Sequence, residues 1–366
     1  MSPRRSTRTR PNPANVYRRL ARWFARNARR MPWRGQTDPY RVWVSEVMLV
    51  QTTVAVAQKR YPRFLKRFPT LAALAASDPD QVMKAWEGLG YYNRARHLHR
   101  AAHLIRERHD GRFPTAYAAI RALPGVGDYV AAAVSNFCFG GRYPPIDANV
   151  ARTAARFFGI AGDVRSGRVR RAIHTRLESL MIVGRGALWT DALIEIGAVV
   201  CTPRAPRCDE CPLCRDCRTV LTGRTTTIGL PARRPTRPEI AVACGVIRRA
   251  DGRILIARRL DHGPLPGLWE FPGGKRNGNE TLADTCRREV AEEIGIAIAV
   301  GRRLMIVRHA YTHLRVRLSV FDCRYRSGAV RAIGCSRFRW VRPGEFGHFA
   351  FPAADRRVIA MLLGER

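Results

Sequence analysis

Three groups of residues in this 366-residue chain have the types and the spacing to do chemistry. The first is a cysteine cluster: in "CTPRAPRCDECPLCRDC", Cys201, Cys208, Cys211 and Cys217 follow C-x6-C-x2-C-x5-C, close enough for four thiolates to wrap one centre. Cys214 overlays a second pattern, C-x2-C-x2-C-x2-C from Cys208. Four thiolates suit zinc or an iron–sulfur cluster, so the spacing decides the site but not the ion. The second group is a pair of acids. Glu46 stands alone in the apolar run "DPYRVWVSEVMLVQT", among Trp43, Val44, Val47 and Met48. Desolvation there raises a carboxyl's pKa and keeps it protonated near neutrality. Asp147, in "PPIDANVAR", sits just before a helical pattern, where at minimum it caps the helix. The third group lies in "GKRNGNETLADTCRREVAEEIGI", where Glu289, Glu292 and Glu293 fall at i, i+3 and i+4 on one helical face. Three carboxylates converging there repel one another unless they hold a hard cation such as Mg²⁺, the usual partner of a diphosphate.

The elements that must position these groups divide the chain. Residues 1–217 read as helix after helix: "TLAALAASDPDQVMKAWEGLG", "NRARHLHRAAHLIRERHDG" and "NVARTAARFFGI" place apolar residues at 3–4 spacing and close on glycine. Between helices, "LPGVGDYVAAAV" turns on Gly125 and Gly127, and its backbone N–H groups at a following helix N-terminus suit a DNA phosphate. Residues 218–238 lack periodicity and read as a linker. In 239–366, "IAVACGVIRR" and "RILIARR" flank the hairpin signal "ADG", followed by a helix and a further strand, "RVRLSVFDCRY", which makes an α+β domain. Sixty-five Lys and Arg against 29 Asp and Glu leave a net charge of +36, carried almost entirely by arginine, and point to a polyanionic partner, nucleic acid first. Residues 1–37 carry no acid and read as a basic arm on DNA. No run of 18 apolar residues and no secretory signal is present, and the clustered cysteines indicate a reduced compartment, so no membrane association is expected.

On these residues, the helical half resembles the helix-hairpin-helix, iron–sulfur DNA glycosylases, and within them the MutY-type adenine glycosylases that remove adenine mispaired with 8-oxoguanine. "MPWRGQTDPYRVWVSEVML", "AWEGLGYYNRARHLH", "LPGVGDY" and "IDANVAR" occur in that family's order, and the cysteine spacing at 201–217 is similar to its [4Fe–4S] loop. Val50, Ala148 and Asp191 depart from it, standing where Gln, Gly and Glu or Gln are usual. The resemblance implies that Glu46 protonates the leaving adenine while Asp147 stabilises or captures the sugar cation until water completes the displacement. Tyr129 stands where strand-nicking relatives carry a Schiff-base lysine, which implies a monofunctional enzyme, with Tyr129 hydrogen-bonded to Asp147. It further implies that Trp33 and Arg34 line the pocket of a flipped adenine, that Asp191 contacts the base, and that Gln51 and Tyr91 wedge into the vacated stack.

The stretch 274–296 fits G-x5-E-x7-R-E-U-x-E-E-x-G-U and is identified as a Nudix box; "LWEFPGGK" and "FPAADRRVI" resemble MutT-type 8-oxo-dGTP hydrolases. This resemblance implies an Mg²⁺ site at Gly273, Glu289, Glu292 and Glu293. MutY-type chains read 8-oxoguanine with a Phe-Ser-His loop, for which this sequence has Tyr311, Thr312 and His313, while Asp355 replaces the MutT-type Asn. The expected architecture is multidomain: an all-α helix-hairpin-helix glycosylase half (1–217) with its iron–sulfur loop, a linker (218–238), and an α+β Nudix-fold domain (239–366) that recognises 8-oxoguanine. The expected function is that of a bacterial-type, monofunctional adenine DNA glycosylase. It is expected to act as a cytoplasmic, nucleoid-associated monomer on duplex DNA bearing A:8-oxoG or A:G mispairs. Two alternatives stand beside it: a bifunctional fusion that also hydrolyses 8-oxo-dGTP through the intact box, and a binding-only repair factor, against which the joint presence of Glu46 and Asp147 argues.

Overall fold

A computed structural model describes residues 11–232, 236–311 and 314–365. The chain forms two compact units, one made of Met1–Ala75 with Arg100–Arg234 and the other of Ala76–His99 with Pro235–Arg366.

The first unit is helical. Its helices start where the sequence supplies caps: Asn12 accepts from the amides of Ala14 and Asn15 ahead of Pro13–Asn27, and Asp38 from that of Tyr40 ahead of Pro39–Leu49, each with proline in the first turn. Helix Pro39–Leu49 is buried nearly throughout and packs on helix Asp128–Cys138. A second core joins Val16, Leu20, Val150, Ile173, Trp189 and Ile196. There, helices Ala148–Phe158 and Gly186–Val199 approach so closely that a Cβ on Gly197 would lie 2.6 Å from that of Asn149. Asp147 caps the first of these helices and Asp191 lies on the second. The stretch read as a linker is partly structured: Arg218–Leu221 is helical and Ile228 is buried in this core, its carbonyl taken by Arg156 Nε at 3.0 Å.

The second unit is built on seven strands: β1 Glu239–Arg248, β2 Ile254–Arg258, β3 Trp269–Glu270, β4 Gly273–Lys275, β5 Ala297–Ala310, β6 Arg315–Ser327 and β7 Arg337–Val341. The sheet is mixed, in the order β3-β2-β1-β6-β5, with β4 on β1 and β7 on β2; β1 and β6 run parallel and the other pairs antiparallel. Alternation divides its faces. Ala243, Ile247 and Leu255 pack with helix Leu282–Ile294 through Cys286 and Val290, whereas Cys244, Val246 and Ile254 pack with helix Ala353–Leu362 through Val358. Residues 76–99 complete this unit, lying against Phe349 and Phe351 through Lys84, Glu87 and Tyr92.

Candidate active site

Glu46 lies on the helix Pro39–Leu49 with only 4% of its surface exposed, among Trp43, Val44 and Met48, none of them exposed at all. Burial, reinforced by the charges of Asp191 and Asp147, pushes its carboxyl from an ordinary 4.5 up to about 7, against the opposing pull of Tyr129 and Arg34. The Tyr129 hydroxyl, from the first turn of Asp128–Cys138, donates to Glu46 Oε2 at 2.7 Å. Burial holds that phenol well above its usual range, so it stays protonated and donates. Oε1 of Glu46 has no hydrogen-bond partner among the described residues. Sequence reasoning placed the Tyr129 hydroxyl on Asp147; the structure places it on Glu46. The reason is local. Asp147 is already served by its own helix, accepting from Val150 N at 2.6 Å through Oδ1 and from Asn149 Nδ2 at 3.3 Å through Oδ2, whereas Glu46 has no such supply. Burial pushes the Asp147 carboxyl upward, and those N–H donors with Arg152 restrain the rise.

Asp191 faces the same groups from helix Gly186–Val199; burial lifts its carboxyl to about 6 against its contact with Arg34. Arg34 is forked between two carboxylates, Asp191 and, at 2.9 Å, Glu195 Oε2. Glu195, 1% exposed, also takes Arg29 Nε at 2.6 Å and the Arg29 amide at 3.1 Å. Burial alone would raise Glu195, and the Arg29 contacts prevail and hold it below the usual range. Arg29 and Glu195 escaped the sequence reading, although Glu195 follows Asp191 by four residues and so shares its helical face. Trp33 packs edge-on against Tyr61 at 5.6 Å. Gly125 takes the left-handed backbone of the hairpin turn (φ 74°), and Gly127 caps Asp128–Cys138 with open space beside its Cα. Gln51 and Tyr91, each in its own unit, are exposed and share an unusual backbone: with Asp110 and Leu265 they are the non-glycine residues of positive φ among those described.

Cys201, Cys208, Cys211, Cys214 and Cys217 line one pocket together with Arg156. Arg156 is 1% exposed and donates to Cys201 Sγ at 3.5 Å and to the carbonyls of Thr202 and Pro203. Burial and the neighbouring sulfurs push the Cys211 thiol up to about 12. Among the described residues no three His, Cys, Asp or Glu side chains meet at the distances of a single metal ion. Arg156 sets a buried cation beside these thiols, where it can meet thiolate charge.

In the second unit the expected convergence of three carboxylates on a cation takes another form. Arg288 donates to Glu289 Oε1 at 2.9 Å and Glu292 Oε2 at 3.0 Å, and Glu293 Oε2 instead accepts from the Gly273 amide at 3.2 Å. Strand β4 crowds this helix so closely that a Cβ on Gly274 would lie 2.1 Å from Glu289 Oε2. Burial and the charge of Glu270 push Glu293 upward. Asp355 is buried, accepts from the Phe271 amide at 3.2 Å, and is lifted to about 7 by burial and by Glu270. Tyr311 stacks edge-on to His309 at 4.5 Å; Thr312 and His313 lie outside the described residues.

Residues 44–179 match the HhH-GPD superfamily of base excision DNA repair proteins, and residues 243–361 match the NUDIX domain. A solved structure titled as a thermostable thymine-DNA glycosylase superposes with a TM-score of 0.52 at 27% identity, over 57% of this chain and 97% of that one. Fold and matches together define a base-excision DNA glycosylase joined to a Nudix-like domain. The chain is 30% identical to the adenine DNA glycosylase of Rattus norvegicus, across 93% of its own length and 77% of the relative's, and 29% identical to that of Homo sapiens, across 95% and 74%. It belongs to the adenine DNA glycosylase family and is an enzyme of DNA base excision repair. No described helix is long and apolar enough to cross a membrane.

Proposed function

We propose that this chain hydrolyses the N-glycosidic bond of adenine mispaired with 8-oxoguanine or guanine in duplex DNA. The observation that carries the chemistry is Glu46: a fully buried carboxyl that keeps its proton to about pH 7, with Oε2 held by Tyr129 and Oε1 open. Such a group is matched to protonating a departing base, and a general acid works best with a pKa near the working pH. Asp147 supplies the opposite charge, its carboxylate fixed at the start of Ala148–Phe158 by N–H donors, suited to an oxocarbenium-like sugar. Tyr129 has no amine for a Schiff base, so the product is free adenine and an abasic site. Arg34, fixed by Asp191 and Glu195, lines the base pocket with Trp33. Gln51 and Tyr91 enter the stack that the flipped base leaves, a role that fits their exposure and strained backbone. Gly125 and Gly127 seat a phosphate.

In this reading a [4Fe–4S] cluster is held by Cys201, Cys208, Cys211 and Cys217, and when bound it supplies iron–thiolate bonds that fix the 201–217 loop. The catalytic half lies within residues 1–217, less the segment 76–99 that packs with the C-terminal sheet; the stretch 218–238, its first part packed on the helical core, leads to a recognition domain, 239–366. There Thr312 and His313 meet the oxidised base, and Gly273, Glu289, Glu292 and Glu293 offer a place for Mg²⁺, with Arg288 as the counter-charge. The protein works as a monomer on bacterial nucleoid DNA. The test is single-turnover release of adenine from A:8-oxoG, A:G and A:T duplexes by the full chain and by Glu46→Gln. The reading expects release from the first two duplexes only and its loss in the variant with duplex binding retained; wild-type release by Glu46→Gln would overturn it.

A further inference from the structure

Residues 76–99 fall inside the stretch that matches the glycosylase superfamily, yet they pack within the same compact unit as the C-terminal sheet. The seam is polar and specific. Phe351 is held at both ends of its backbone by side chains five residues apart: its amide donates to Glu87 Oε1 at 3.3 Å, and its carbonyl accepts from the Tyr92 hydroxyl at 3.2 Å. Lys84 Nζ closes the seam, donating to Phe349 O at 2.9 Å and to Glu87 Oε2 at 3.0 Å. Glu87 is 9% exposed and Tyr92 5%, so both grips are made away from water.

Between the two grips runs the turn Gly88 to Tyr91, with φ of 90° at Gly88, 69° at Gly90 and 47° at Tyr91. Its inner side is tied down as well: Trp86 Nε1 and Arg94 both donate to Gly90 O at 3.1 Å, and the Arg94 guanidinium lies 5.6 Å over the Tyr91 ring. Out of this lattice Tyr91 projects, 45% exposed, in a backbone conformation that an L-tyrosine adopts only when its surroundings impose it.

We infer that Glu87 and Tyr92 are positioning residues for Tyr91: by gripping Phe351 they make the C-terminal domain part of the frame that presents the Tyr91 ring to DNA. The domain that reads the opposing base would then also fix the side chain that opens the stack. This rests on the reading of Tyr91 as the inserted residue. Neither Glu87 nor Tyr92 touches the reacting base in this scheme; each acts through the turn.

The experiment measures base extrusion by the full chain in stopped flow, with 2-aminopurine replacing the target adenine opposite 8-oxoguanine. Tyr91→Ala, Tyr92→Phe, Glu87→Ala and the doubles Tyr91→Ala/Tyr92→Phe and Tyr91→Ala/Glu87→Ala are compared. Tyr92→Phe removes one hydroxyl and keeps the ring, so it tests the grip even if Glu87→Ala does not fold. The expected result is slower extrusion in Tyr91→Ala, and a slowing of about fivefold in Tyr92→Phe and in Glu87→Ala, in line with the loss of one buried hydrogen bond, that disappears in the Tyr91→Ala background. If Tyr91→Ala extrudes at the wild-type rate, the inserted-residue reading itself falls. If Tyr91→Ala is slow but Tyr92→Phe is not, or is equally harmful with and without Tyr91, the role of the grip is overturned and the inserted-residue reading survives.

Discussion

Replacing Glu46 by Gln should stabilise the protein, and by an amount that depends on pH. The folded state lifts this carboxyl from 4.5 to about 7. Below about pH 4.5 both folded and unfolded chains hold the proton, and burial costs nothing through ionisation. Between 4.5 and about 7 the unfolded chain has given up the proton and the folded chain has not, so the penalty on folding grows with pH; above about 7 it is complete. At 1.36 kcal/mol for each tenfold change in the ionisation constant, the full penalty is about 3 kcal/mol. Glutamine keeps the shape and an oxygen to accept from Tyr129, but it never ionises. Urea unfolding of both proteins, followed by the helical circular dichroism signal at several pH values from 4.5 to 8.5, should therefore show curves that coincide near pH 4.5. The variant should be more stable by about 3 kcal/mol at pH 8.5. A stability difference that stays flat across this range would refute the claim that the folded protein holds Glu46 protonated near neutrality, and with it the case for Glu46 as a proton donor.

Other outcomes follow from the same geometry. Adenine release should fall as pH rises through about 7, and Tyr129→Phe, which removes a hydrogen bond that favours the charged form of Glu46, should move that midpoint upward by about one pH unit; a downward move in the pH–rate profile would contradict the assignment. Borohydride should trap no covalent protein–DNA adduct, because Tyr129 supplies no amine, and trapping efficient enough to track adenine release would exclude the monofunctional reading. Purified protein should carry iron and acid-labile sulfide with visible charge-transfer absorption, and Arg156→Ala should lose iron faster on dilution, since it removes the buried cation beside Cys201; a colourless, stoichiometric zinc protein would dispose of the cluster.

What could be read in advance was what lies close along the chain. The burial of Glu46 was visible in its four apolar neighbours, the cap at Asp147 in the helical pattern after it, and the two faces of the sheet in the alternation of "IAVACGVI". What was missed was set by distance in sequence. Arg29 meets Glu195 across 166 positions, and nothing near either residue announces the other. The partner of Tyr129 depended on which of two buried acids lacked donors of its own, a question decided only when the helices are in place. The aperiodic stretch after Cys217 gave no sign that Ile228 would enter a core, because one apolar residue has no period. In the Nudix box the shared helical face of the carboxylates was legible from their spacing, whereas the hydrogen bonds that Arg288, inside the same pattern, gives to two of them were not.

The seam between Tyr92 and Phe351 spans 259 positions, so on the ribosome the two partners do not coexist for most of the chain's synthesis. At about 5–20 residues per second, Tyr92 is made roughly 13 to 52 seconds before its acceptor. For that time the segment holding Trp86, Glu87 and Tyr92 must wait half-dressed, without the sheet it packs on. N-terminal fragments released by premature termination would share that fate permanently, displaying a ready-made aromatic and charged edge that the finished protein keeps dry, and cellular quality control would meet them as incomplete whatever the state of their catalytic acids.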